Sequence, residues 1–129
     1  MAQQPADSMR KPLSVTQAMA LAKGALEACR VTLIGEVSEV SDSPRYKAVY
    51  FTVKDQNAAL PCLMWKDRFR ASGVDLRVGM LVQLTGSFTL YAAKGRMNFN
   101  VISLQPAGEG DLRAKVAALA KKLQAEGLM

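Results

Sequence analysis

Tyr46, Tyr50 and Trp65 stand among Arg45, Lys47, Lys66, Arg68 and Arg70, and a second basic stretch follows at Lys94 and Arg96. Planar side chains beside cations suit a non-covalent chemistry. Nucleic-acid bases stack on aromatic faces for about 1–3 kcal/mol each, and a cationic groove tracks phosphates with strong salt dependence. Thr52, Asn98 and Asn100 add groups able to hydrogen-bond bases or sugars. The bland alternative is that the cations form a solvated cluster and that the Thr and Asn residues are the wet faces of half-buried strands.

Covalent chemistry finds little support. The chain of 129 residues contains no histidine, which removes the commonest general base and zinc ligand and excludes His-based triads and zinc sites. Glu36, Glu39, Asp42 and Asp55 are scattered, with no D-x-D or E-x-K spacing and no partner, whereas metal-assisted hydrolysis needs clustered oxygen ligands. Ala93-Lys94-Gly95 lacks the preceding glycine spacing of a phosphate loop. No catalytic residue, metal site or cofactor is expected from this pattern.

These side chains need a scaffold, and the length allows one domain. Half of the residues are hydrophobic, so most of the chain should fold, and the net charge of +6 points to an acidic partner. Two cysteines cannot form a disulfide framework, and Cys62 alternates with Leu60 and Met64 as a small buried hydrophobe. With no signal peptide and no apolar run of about 20 residues, a cytoplasmic protein with no membrane contact is expected.

Residues 1–12 read as a flexible lead-in. A capping box of Ser14 and Gln17 opens a helix with Val15, Met19, Ala22 and Leu26 on one face, and Gly24 leaves its end uncertain. Five alternating segments follow. The first runs from about Arg30 to Val40, with Val31, Leu33 and Val37 on one side and Gly35 marking a bulge or bend. The second, Tyr46 to Lys54, turns Val49, Phe51 and Val53 inward and Tyr46, Tyr50 and Thr52 outward. The third turns Leu60, Cys62 and Met64 inward, and its Pro61 belongs at an edge or bulge.

A polar connector with room for a helical turn leads to a fourth strand, Met80 to Tyr91, with Val82, Leu84 and Phe88 inward and Gly86 as its bend. In the fifth, Met97, Phe99 and Val101 alternate with Arg96, Asn98 and Asn100. A last helix from Asp111 carries Leu112, Val116, Leu119 and Leu123 on one stripe. Five strands with glycine bends in the first and fourth, and an insert between the third and fourth, fit an all-β core built as the OB-fold Greek-key barrel. An SH3-like barrel has shorter strands and different loops.

On that barrel, Tyr46, Tyr50 and Trp65 share the outward parity of strands two and three, the face on which OB-folds bind oligonucleotides. Arg45 and Lys47 lie in one flanking loop, and Lys94 and Arg96 in the other. Trp65 either stacks on a ligand or fills the end of the barrel, and its place after outward-facing Leu63 favours exposure.

Gly35–Ser38 (G-E-V-S), Tyr50–Asp55 (Y-F-T-V-K-D), Cys62–Trp65 (C-L-M-W) and Pro106–Gly108 (P-A-G) carry a resemblance. In order and spacing, from about Leu13 to Leu128, the chain resembles the amino-terminal domain of the large subunit of bacterial exodeoxyribonuclease VII. The resemblance implies an OB-fold that grips single-stranded DNA and feeds it to a nuclease whose catalytic region lies downstream. It also implies the rest of the large subunit and several copies of a small subunit as partners. The chain would then be an isolated, non-catalytic domain of a hydrolase: residues 13–108 the barrel with its first helix, and 109–129 a helix beginning the linker to catalysis.

Two positions depart from the family pattern. Ala48 and Val49 stand where the family tends to carry His and Trp, which removes one aromatic contact. Trp65 stands where Phe is common, which preserves stacking. A second reading is a stand-alone barrel for protein interaction or general single-strand binding, with the stripe of the last helix either capping its own barrel or docking a partner. A self-sufficient nuclease is the third and weakest.

Overall fold

The computed structural model describes residues 11–108. The expectations for the first ten residues of the lead-in and for the helix over residues 109–129 lie outside them. Within them the order is α1 (Val15–Glu27), β1 (Arg30–Ser41), β2 (Ala48–Lys54), β3 (Ala59–Trp65), α2 (Lys66–Ser72), β4 (Leu81–Tyr91) and β5 (Arg96–Pro106). The strands close a barrel in the order β1-β2-β3-β5-β4, the five-stranded arrangement expected.

One strand serves two neighbours. The first half of β1, Arg30 to Glu36, pairs with β4, and its second half, Glu36 to Ser41, pairs with β2. Between Val37 and Glu39 the β1–β2 register slips, so of the bulge or bend expected at Gly35 the bulge falls instead at Ser38. Gly35 has a different task. A Cβ there would lie 3.1 Å from Val53 Cβ and 3.3 Å from the Lys54 carbonyl oxygen, so its missing side chain lets β1 and β2 coil tightly. Gly86 marks a true irregularity: the β4–β5 register shifts between Thr85 and Gly86, leaving Ile102 as the extra residue of β5.

The parallel contact of β3 with β5 closes the barrel at only two pairs, Cys62 with Phe99 and Leu63 with Asn100. Pro61 sits one residue before that seam, where its missing N–H costs no cross-seam bond, as its edge assignment required. Inside are Phe99, Met64, Leu84, Val37, Val49, Val82, Val101 and Cys62, all fully buried. The inward sets expected on β2 and β3 hold, except that Leu60 is only half-buried. β5 departs: Met97 is exposed while Phe99, Val101 and, past the shift, Leu104 are buried. The connector forms a complete short helix, α2, stopped by Gly73 in the left-handed conformation, and brings Phe69, Val74 and Leu76 against the core.

α1 begins with the expected box: Gln17 N–H donates to Ser14 Oγ (3.0 Å) and Ser14 N–H to Gln17 Oε1 (2.9 Å). The helix continues through Gly24 to Glu27 and packs chiefly along β4. Its packed face keeps two of the four expected residues, Met19 and Leu26. Met19, Lys23 and Leu26 are half-buried, whereas Val15 and Ala22 stay exposed.

Candidate nucleic-acid interface

The β2–β3 ladder fixes which side chains share the outer face. Tyr50 lies opposite Leu63 and Thr52 opposite Pro61, while across the seam Leu63 meets Asn100. On β4 and β5, Thr89 opposes Asn98 and Tyr91 opposes Arg96. Since strand side chains alternate, these residues form adjoining rows over one curved surface.

Two hollows occupy that surface. The inner one is lined by Glu39, Ser41, Tyr50, Thr52, Pro61 and Asn98, among others. The outer one, about 620 Å³, is lined by Lys23, Tyr50, Leu63, Thr89, Tyr91, Arg96 and Asn98, with neighbours from the β4–β5 turn. Tyr50 and Asn98 belong to both, so the two form one trough from the β4–β5 turn to β1. The outer hollow falls in the size range, roughly 300–1,000 Å³, that holds small ligands.

The three aromatics named from sequence are exposed: Tyr46 at 45%, Tyr50 at 42% and Trp65 at 48%. Tyr46 lies two residues before β2 begins, although the strand was expected to start with it. Its ring meets that of Tyr50 edge-on at 5.5 Å and 83°, so the loop tyrosine buttresses the strand tyrosine. Trp65 ends β3 and precedes α2, with its ring in solvent and not in the barrel end.

The cations separate into different environments. Lys66 is the most enclosed, its side chain 18% exposed; its ammonium donates to the Ser43 carbonyl (2.7 Å) and stands 3.4 Å from Asp42. Ser43 in turn accepts from Arg45 N–H (3.3 Å, at Oγ) and Tyr46 N–H (3.0 Å, at the carbonyl). Lys66 thus holds the loop that presents Arg45 and Tyr46. Lys47 is exposed in the same loop, and its carbonyl accepts from Lys66 N–H. Lys94 and Arg96 flank Gly95 in the β4–β5 turn, where φ is +64°. Arg68 is exposed on α2, and Arg70 stands 3.6 Å from Asp67, both highly exposed, a geometry worth little energetically.

The structure brings Tyr50, Thr52, Arg96 and Asn98 into one trough, with Tyr46 behind Tyr50. Trp65, Lys66, Arg68, Arg70, Arg45, Lys47 and Lys94 do not line it. Sequence reasoning left out Leu63, Tyr91 and Lys23. The outward parity of Tyr91, following buried Leu90, was there to be read; Lys23 enters through the packing of α1, which no local pattern encodes.

Asp55 and Glu27 have structural tasks. Asp55 Oδ1 accepts from Asn57 N–H (2.9 Å) and Ala58 N–H (3.0 Å), closing the β2–β3 turn. Lys23 donates to Glu27 and holds its carboxyl below the usual value, with Thr89 Oγ1 donating to the same oxygen at 3.3 Å. Among the described residues no three acidic or cysteine side chains gather as a metal site, and no helix is long and apolar enough to cross a membrane. Burial pushes the Cys62 thiol up to about 12, leaving it a neutral core side chain.

Known proteins share this sequence pattern and this fold. The chain is 39% identical over 99 residues to the exodeoxyribonuclease 7 large subunit of Lactococcus lactis subsp. lactis, a match covering 77% of the chain and 23% of that protein. The Caulobacter vibrioides large subunit is 37% identical over 126 residues, covering 96% and 25%. The chain therefore spans about a quarter of the length of the curated relatives it matches. The fold resembles a chain from a replication protein A heterotrimer bound to ssDNA (TM-score 0.57, 16% identity, 74% of this chain and 72% of that one). It also resembles a chain of the S. pombe Stn1-ten1 complex (TM-score 0.60, 12% identity, 77% and 73%). The family described as OB-fold nucleic acid binding domain matches residues 13–105, and the chain belongs to it, with its likeness to exodeoxyribonuclease VII large subunits borne out.

Proposed function

We infer that this chain is a single-stranded DNA-binding module of an exodeoxyribonuclease VII large subunit. It holds the strand for cleavage to oligonucleotides by a catalytic region it does not itself contain. The observation that carries the reading is the continuous trough in which Tyr50 and Asn98 link the two hollows, with the basic β4–β5 turn at its outer end. Exposed rings and amide side chains there suit splayed bases, whereas a duplex buries its base faces in the stack. On this reading Arg45, Tyr46, Lys47, Trp65, Arg68, Arg70 and Lys94, which do not line the trough, would serve a longer strand beyond it. Likeness to large subunits supports the nuclease as parent, with the rest of that subunit and the small subunit as partners.

Fluorescence anisotropy of a labelled single strand at two salt concentrations, with duplex as competitor, tests the reading. Tight, salt-sensitive binding that duplex fails to displace is expected. No binding at low salt would reject it in favour of a protein-interaction module. The observation favouring that second reading is the exposure of Leu13, Val15 and Leu21 on and beside α1.

A further inference from the structure

α1 stands outside the barrel, and core burial does not explain its position, since none of its side chains is fully buried. Its footing is β4 and the β4–β5 turn. Met19 Cε lies 4.0 Å from where a Cβ on Gly95 would be, and Thr89 of β4 donates to Glu27. Lys23 occupies the middle of this packed face, between half-buried Met19 and Leu26. A lysine in such a place lays its aliphatic stem on apolar neighbours and brings its ammonium out at the rim. Here the rim is the outer hollow, which Lys23 lines with Tyr91 and Arg96.

The geometry points to Lys23 as a phosphate contact supplied by α1, which makes the helix one bank of the trough and the β4–β5 turn, with Arg96, the other. The inference rests on the reading of the trough as a strand-binding surface. Glu27, one turn on, pairs with Lys23, and Thr89 tethers Glu27 to the sheet. The pair biases the Lys23 side chain towards the hollow that it lines, with the modest strength typical of an exposed i,i+4 pair. The competing account, an ordinary exposed i,i+4 pair, would leave Lys23 on the outer face of α1. The Lys23 side chain is 42% exposed, yet it lines the outer hollow with Tyr91 and Arg96, a position that account does not provide.

The test uses the whole chain, its Lys23→Ala variant and an Arg77→Ala control. Arg77 carries the same charge, pairs with Asp75 in the α2–β4 connector and does not line the trough. Affinity for an oligothymidylate would be followed by anisotropy from 50 to 200 mM salt, with circular dichroism confirming α1. Lys23→Ala should weaken low-salt binding about threefold and flatten the slope of log affinity against log salt by about 0.7, the contribution of one phosphate contact on a single strand. Arg77→Ala should change neither. An unchanged slope in Lys23→Ala, or an equal loss in Arg77→Ala, would overturn the role of Lys23 while leaving strand binding intact. Failure of the unaltered chain to bind would overturn both readings at once.

Discussion

Tyr50→Ala is the perturbation that tests the trough most directly, because its ring belongs to both hollows and lies against only one other aromatic, Tyr46. A base stacked on it contributes about 1–3 kcal/mol, so truncation should weaken binding roughly 5- to 150-fold. The cost to the fold is smaller. Tyr50 is already 42% exposed, and removing its edge contact with Tyr46 costs about 0.5–1.5 kcal/mol. Against a typical stability of about 5–15 kcal/mol the variant should remain folded.

The assay is an anisotropy titration at fixed salt, paired with a thermal melt. Tyr50→Phe keeps the stacking plane and should bind nearly as the parent does. Tyr46→Ala should lose less than Tyr50→Ala, since Tyr46 orients its neighbour without lining the trough. A folded Tyr50→Ala protein that binds within about twofold of the parent would refute stacking at this position. If Tyr50→Phe lost as much as alanine, the hydroxyl and not the ring face would be the contact.

Two further outcomes concern the scaffold. A Cβ at Gly86 would overlap the Asn100 carbonyl oxygen and lie 3.1 Å from Val101 Cα; Gly86→Ala should therefore cost about 3 kcal/mol by forcing the β4–β5 backbone apart, read as a lower urea midpoint, and an unchanged midpoint would mean that the register shift relaxes freely. Cys62 binds its proton more tightly when folded, from an ordinary 9.0 up to about 12. Between those values the unfolded chain releases a proton that the folded chain keeps, so stability should fall as pH rises, by about 1.4 kcal/mol per unit for this group. Cys62→Ala should show a shallower decline over the same range, and parallel curves would contradict the burial argument.

Alternation made β2 and β3 legible because both strands have one wet and one dry face over most of their length, buried Ala48 at the start of β2 excepted. Val49, Phe51 and Val53, and Cys62 and Met64, needed no more than period two to be placed inside. The same rule stumbled on β5, where the shift at Gly86 leaves Ile102 unpaired and turns Leu104 inward while Met97 remains outside. A bulge reverses parity without announcing itself in composition, as Ser38 also shows on β1. Gly35 and Gly86 look alike in sequence yet differ in space: one relieves crowding against Val53, the other admits a backbone carbonyl. On α1 the pattern placed Met19 and Leu26 correctly but not Lys23, whose partner Glu27 is tied to Thr89 of β4, a contact spanning 62 residues that no local pattern encodes.

The basic residues show why an interleaved pattern marks a surface only when the period of its element preserves it. Lys66, Arg68 and Arg70 follow Trp65 at every second position, and continued as a strand they would form a single ladder of cations, on the face opposite Trp65 and in line with buried Cys62 and Met64. β3 ends at Trp65, however, and Lys66 opens a helix. At 3.6 residues per turn, every second residue turns through about 200°, so Lys66 and Arg70 return to nearly one side while Arg68 points away. Their surroundings then diverge: Lys66 fixes the loop that carries Arg45 and Tyr46, Arg70 faces Asp67, and Arg68 stands exposed. Tyr50, Thr52 and Asn98 stayed together because they lie on strands, where period two and one face are the same thing. Charge near the trough is therefore set by which element each cation rides on, and the cation that sequence spacing did not suggest, Lys23, is the one that α1 carries to its edge.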